Sequence, residues 1–253
     1  MMIKEDVFNG YTVVITGANS GIGLEASKEF LRHGAQVIGI DLRFRNIDEL
    51  GDRFIPYVCD VTNTEQITEV TDEIKKTVDK IDVLLTNAGK TFLDTIEKFN
   101  NKKLDTCYEL HLKHHMIFIR ELVPMMKLSD HANIICTGSI AGGIVSPEEI
   151  SYGIMKEAII HLVRTCTATF ETIRCNAVCP GVVRTHLMSS AMFDILAESE
   201  RIKKIPMHRL GTPDEVAKLI VFLASDYAKG INGAVINIDG GFSLDQPQIH
   251  TLP

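Results

Sequence analysis

The chain has 253 residues, 45% of them hydrophobic and 23% charged, with a formal net charge of -7. That is the balance of a globular protein with enough apolar surface for a large core, and its interspersed charges, with no basic stripe, exclude a nucleic-acid footprint. Met1 to Gly10 carries Lys4, Glu5 and Asp6 without a signal-type apolar stretch, and each apolar run stops short of the ~20 residues of a membrane span; a cytoplasmic protein without membrane contact is expected.

Short β-rich runs alternate with longer amphipathic segments, the pattern of a parallel sheet with crossover helices. Strands are expected at 11–16 (YTVVIT), 36–41 (QVIGID), 54–60 (FIPYVCD) and 82–87 (DVLLTN), then at 132–138 (ANIICTG), 174–180 (RCNAVCP) and 234–239 (AVINID). Most are continuously apolar, as strands covered on both faces are. Between them Gly34 marks a helix stop, and Thr62 with Glu65 reads as a capping box. Thr212-Pro213-Asp214-Glu215 is a stronger box, and Ser146-Pro147-Glu148-Glu149 repeats its pattern. No linker or repeat interrupts the chain. We read residues 1–253 as one doubly wound α/β domain of Rossmann type, with seven mostly parallel strands and helices on both faces.

The six cysteines (Cys59, Cys107, Cys136, Cys166, Cys175, Cys179) lack framework or zinc-ligand spacing and read as reduced thiols. Cys175 and Cys179 suit small apolar positions on a buried strand.

The first strand runs into Thr16-Gly17-Ala18-Asn19-Ser20-Gly21-Ile22-Gly23 and then a helix. Glycines there let backbone N–H groups approach a pyrophosphate at the positive helix end. Asp41 closes the second strand, about 20 positions on, where a carboxylate accepts the ribose hydroxyls of NAD and repels the 2′-phosphate of NADP. NAD is therefore expected over NADP, although Arg43 and Arg45 follow closely.

This turn is similar to the TGxxxGIG turn of the short-chain dehydrogenase/reductase family, and the resemblance runs from about Tyr11 to Phe242. Asp60-Val61 resembles the family's adenine contact and Asn87-Ala88-Gly89 its NAG motif. Pro180-Gly181-Val182-Val183-Arg184-Thr185 resembles the segment that holds the nicotinamide carboxamide, and Asp239-Gly240-Gly241 the closing DGG. The resemblance thus implies cofactor contacts from Gly17, Asn19, Ser20, Gly21, Ile22, Gly23, Asp41, Asp60, Val61, Asn87, Ala88 and Gly89. It adds Tyr152, Lys156, Pro180, Gly181, Val183 and Thr185.

Tyr152 and Lys156 are four residues apart and share a helix face. A nearby ammonium favours the phenolate, so the tyrosine pKa is expected to fall from about 10 toward working pH, fitting a phenol for proton exchange with a substrate alcohol. Ser139, thirteen residues before Tyr152, ends the fifth strand with a hydroxyl able to bond the substrate oxygen. By resemblance, Ser139, Tyr152 and Lys156 are the catalytic set. His111, in ELHLKHH, stands where the family usually has an Asn that kinks a helix and seats a proton-relay water. An imidazole can carry protons near neutral pH, which makes His111 a candidate relay residue as well as a candidate packing residue. His111 and His115 have the spacing of a metalloprotease helix but lack its Glu and a third ligand, so no metal is expected.

The stretch 185–208, with Leu187, Met188, Met192, Phe193, Ile195 and Leu196, resembles the family's substrate lid. The expected activity is NAD-dependent interconversion of a secondary alcohol and a ketone on a bulky apolar, hydroxysteroid-like small molecule. A 3-oxoacyl-thioester reductase and a non-catalytic NAD-binding protein are the alternatives. The family implies a homodimer or homotetramer, for which Ile117, Ile119, Ile159 and Leu162 on the two long helices are the expected contacts.

Overall fold

The structure, a computed structural model, describes residues 6–184 and 200–244. Seven parallel strands form one sheet in the order β3-β2-β1-β4-β5-β6-β7. They are β1 (Thr12–Thr16), β2 (Gln36–Asp41), β3 (Phe54–Val58), β4 (Val83–Thr86), β5 (Asn133–Thr137), β6 (Arg174–Pro180) and β7 (Val235–Ile238). Every expected strand is present, most of them shorter by a residue or two at the ends. The run expected to 60 stops at Val58, and in β3, an edge strand, only Phe54 is buried, while half-buried Ile55 and Tyr57 alternate with exposed Pro56 and Val58.

The helices are α1 (Gly21–Arg32), α2 (Thr64–Thr77), α3 (Asn101–Tyr108), α4 (His114–Met126), α5 (Ile140–Gly143), α6 (Ile150–Thr169), α7 (Glu200–Lys203) and α8 (Pro213–Ala224). Successive strand residues point to opposite faces. Val14, Leu84 and Ile134 pack with Ile74, Phe118, Leu122 and Val163 of α2, α4 and α6. Val13, Ile15 and Leu85 pack with Phe30, Val216 and Ile220 of α1 and α8. The sheet is thus sandwiched, and the chain reverses its direction of travel across the sheet between β1 and β4, where an open α/β sheet has its crevice beyond the carboxyl ends.

Two helix starts differ from the sequence reading. Asn63, not Thr62, caps α2, accepting from the N–H groups of Glu65 and Gln66, because the Thr62 hydroxyl donates to Asp60 instead. Ser146-Pro147-Glu148-Glu149 starts no helix; α6 begins at Ile150, and its N-cap Glu149 makes no side-chain cap. Thr212 and Glu215 do form the full box on α8 with Pro213 at its first position, and Gly34 ends α1 with φ +99°, a conformation that favours glycine.

The expected oligomer contacts need correction too. Ile117, Ile119 and Ile159 are buried in the core and Leu162 packs against it. On the same helical stretches Tyr108, Met116 and Ile154 are the exposed large apolar residues. Among the described residues no helix is long and apolar enough to cross a membrane.

Candidate active site

At the end of β1 the chain turns sharply through Gly17, whose φ is +71° and whose added Cβ would lie 2.9 Å from Ala88 Cα. A Cβ on Gly23 would fall 2.0 Å from Gly17 O, so α1 starts directly against the turn. Its N-cap Ser20 is extended and makes no side-chain cap, and its first turn holds no acidic residue. The positive end of this twelve-residue helix therefore has no capping side chain and no anion within its own first turn. Asp41 Oδ2 accepts from the Asn19 N–H at 3.0 Å, and Asn19 Oδ1 accepts from the Arg45 N–H at 3.2 Å. A turn with no room for Cβ atoms, an uncapped helix end and a carboxylate at the end of β2 fit a dinucleotide.

Asp60 Oδ1 accepts from both the N–H and hydroxyl of Thr62, at 2.9 and 2.7 Å, while Val61 is buried beside it. Pro180 and Gly181 leave β6 against Asp239, to whose Cβ a Cβ on Gly181 would come within 2.8 Å. Val183 pairs with Gly211. Thr185 and the apolar residues Leu187, Met188, Met192, Phe193, Ile195 and Leu196 of the expected lid lie outside the described residues.

Asn87 joins three strand ends. Its N–H and that of Ala88 donate to Thr16 Oγ1 at 2.9 and 3.1 Å, and its Nδ2 donates to Thr16 O at 3.2 Å. Thr137 Oγ1 donates to Asn87 Oδ1 at 3.1 Å, and Lys156 Nζ donates to Thr137 O at 2.8 Å. One chain of hydrogen bonds thus runs from the glycine turn to the buried lysine. Thr16 and Thr137 were not singled out by sequence, although each sits at the carboxyl end of its strand, the position that carries ligands in such sheets.

Ser139 caps α5, accepting from the Ala141 N–H at 3.1 Å. A Cβ on Gly142 would lie 2.9 Å from Glu157 N, and one on Gly153 would lie 3.0 Å from Ala141 O. This glycine-lined crossing of α5 and α6 brings the Ser139 hydroxyl close enough to Tyr152 to act on its phenol. Lys156 Nζ lies 5.6 Å from the Tyr152 ring centroid, so the two do share a face of α6. Burial pushes the Tyr152 hydroxyl up to about 12, with the Ser139 hydrogen bond pulling it back. The expected fall in its pKa is not found. Desolvation dominates, and the Lys156 amine is turned to Thr137 O and is itself lowered to about 8 by burial.

His111 lies in a π-helical turn, Glu109–Lys113, between α3 and α4. Its Nε2 is 2.7 Å from Lys90 O, its ring is edge-on to that of Tyr152 with centroids 5.1 Å apart, and Nδ1 is buried without a partner. Burial first, then Lys156, holds His111 down to about 2, so a ring that gains charge near neutral pH is not what the site contains. His115 Nδ1 pairs with Thr86 Oγ1 at 2.6 Å, away from the His111 contact.

A family model described as Enoyl-(Acyl carrier protein) reductase matches residues 17–243. The chain is 34% identical to 3-oxoacyl-[acyl-carrier-protein] reductase FabG of Thermotoga maritima over 247 residues, 93% of this chain and 98% of that one. It is also 34% identical to rat dehydrogenase/reductase SDR family member 6 over 244 residues, with the same two coverages. Among solved structures, Thermoplasma acidophilum aldohexose dehydrogenase superposes with a TM-score of 0.89 at 29% identity, covering 98% of this chain and 99% of that chain. A Pseudomonas aeruginosa PAO1 short chain oxidoreductase, described as NADPH-bound with an atypical catalytic center, gives 0.88 at 25% identity, covering 96% and 100%. With the fold, the glycine turn and these likenesses in agreement, the chain belongs to the short-chain dehydrogenase/reductase family.

Proposed function

We propose that the protein is an NAD-dependent dehydrogenase or carbonyl reductase that interconverts a secondary alcohol and a ketone, with Tyr152 as acid/base. The observation that carries this reading is the convergence of Ser139, Tyr152 and Lys156 at the carboxyl end of β5, beside the glycine turn. Hydride would be supplied or accepted by a bound dinucleotide. Gly17, residues 19–23, Asp41, Asp60, Val61, residues 87–89, Tyr152, Lys156, Pro180, Gly181, Val183 and Thr185 are proposed to hold it. Tyr152, protonated near neutral pH, gives its proton to a ketone oxygen or takes one back from an alcohol. Ser139 hydrogen-bonds the same oxygen. Lys156 keeps a positive charge close to the phenol and links it to Thr137. His111, neutral, offers Nδ1 as an acceptor on the proton route between Lys156 and solvent.

Asp41 at the end of β2 favours NAD by repelling a 2′-phosphate. The apolar make-up of 187–196 supports a bulky apolar substrate of steroid-like size, handled by a cytoplasmic homodimer or homotetramer. A second reading, reduction of 3-oxoacyl thioesters, is favoured by the likeness to the Thermotoga maritima FabG; the net charge of -7, with no basic patch, weighs against an acidic carrier.

The test is turnover of NADH and NADPH against apolar ketones, steroids, aldohexoses and 3-oxoacyl thioesters. Selective turnover of the thioesters would replace the substrate reading while leaving the acid/base role intact. Tyr152→Phe should abolish turnover and leave NADH binding nearly unchanged. Unchanged turnover in that variant overturns the mechanism.

A further inference from the structure

Residues 89–94 leave the carboxyl end of β4 and tie three parts of the site together. Gly89 lies against the His111 ring, Lys90 O accepts from it, and Asp94 reaches the start of α6. The main chain of Asp94 pairs on both sides there: its N–H donates to Glu148 O at 2.9 Å and its carbonyl accepts from the Ile150 N–H at 3.4 Å. Its buried carboxylate takes the Ser151 N–H on Oδ1 at 3.1 Å and the Ser151 hydroxyl on Oδ2.

The first N–H groups of a helix need acceptors, and a carboxylate among them also meets the positive end of the dipole. Within α6 nothing local serves, since Glu149 makes no side-chain cap and the first turn holds no acidic residue. Asp94 fills the place from 57 residues away in sequence. Tyr152 directly follows the residue it grips.

We infer that Asp94 is a positioning residue for Tyr152: by fixing the first turn of α6 through Ser151, it sets where the phenol stands relative to Ser139 and the cofactor turn. This rests on the reading of Tyr152 as acid/base. The same strap carries Lys90, so the placement of Tyr152 is coupled to the seat of His111.

Asp94→Ala and Asp94→Asn, made in the full chain, separate positioning from general support. Three quantities are read: turnover of the ketone that the wild type reduces best, NADH binding by fluorescence, and Tyr152 ionisation by phenolate absorbance, using each variant with Tyr152→Phe added as the blank. Asp94→Ala should lower kcat on the order of tenfold to a hundredfold, leave NADH affinity within about twofold and displace the Tyr152 titration. Asp94→Asn keeps an oxygen for the Ser151 N–H and should recover most of the loss. A kcat for Asp94→Ala within about twofold of wild type overturns the inference. So does an equal loss of kcat and NADH binding in both variants. If Asp94→Ala does not fold, Asp94→Ser replaces it under the same criteria. Retained turnover in Tyr152→Phe alone would sink the acid/base reading, while the Tyr152 titration would still report whether Asp94 places the phenol.

Discussion

His111 donates from Nε2 to the carbonyl oxygen of Lys90 across 2.7 Å, and because a carbonyl only accepts, the opposite nitrogen, Nδ1, is left as a buried acceptor beside Gly89. An amide side chain could reproduce both halves of that arrangement. His111→Asn should therefore keep kcat within about threefold, whereas His111→Leu, which leaves Lys90 O unpaired, should lower it on the order of tenfold with little change in KM. A leucine variant as active as wild type would remove His111 from the proton route.

With the Tyr152 hydroxyl pushed up to about 12, the phenol is protonated at neutral pH, the form that donates to a ketone. Ketone reduction should be nearly flat with pH around 7. Alcohol oxidation, which needs the scarce phenolate, should rise as pH increases. Initial rates in both directions across pH 6–10 check this, and an oxidation rate that falls with rising pH would contradict it.

Asp41→Ala removes the charge that repels a 2′-phosphate and leaves Arg43 and Arg45 nearby. The ratio of kcat/KM for NADPH over NADH should rise by about tenfold or more, equivalent to about 1.4 kcal/mol. The variant also loses the acceptor for the Asn19 N–H, so affinity for both cofactors should drop somewhat. No change in the ratio would mean that another residue sets cofactor choice.

Burial holds His111 down to about 2, His114 to about 3 and His115 well below its usual value. Their folded-state pKa values lie below the unfolded value of about 6.5, so under that pH the unfolded chain binds protons the folded one refuses. The stability they allow is complete above pH 6.5 and is lost as pH falls toward 3, by up to about 1.4 kcal/mol per pH unit for each ring. Urea unfolding at a series of pH values should show this slope. His114→Phe should make it shallower by one proton, and a stability that stays level from pH 6.5 to 4 would argue against three neutral rings.

Much of this was legible in the sequence because the chemistry is local. The glycine turn, Asp41 and the four-residue step from Tyr152 to Lys156 are each defined within a few positions, and short, mostly apolar runs located all seven strands. What escaped depends on contacts between distant segments. Asp94 caps α6 from another loop, and no nearby residue signals it. Their place on two long helices could not foretell that Ile117 and Ile159 lie in the core rather than against a second subunit. The pKa of Tyr152 was misjudged because proximity of an amine is visible in sequence while desolvation is not.

The π-helical turn at Glu109–Lys113 holds one residue more than the α-helix around it would accommodate. Everything from His114 onward is consequently turned by ~100° relative to α3. Deleting any single residue between 109 and 113 would restore an even helix and rotate Phe118, Leu122 and Met126 out of the core. At this point the number of residues, more than the identity of any one of them, is what the fold requires, so a shortened relative would have to rebuild the whole face of α4.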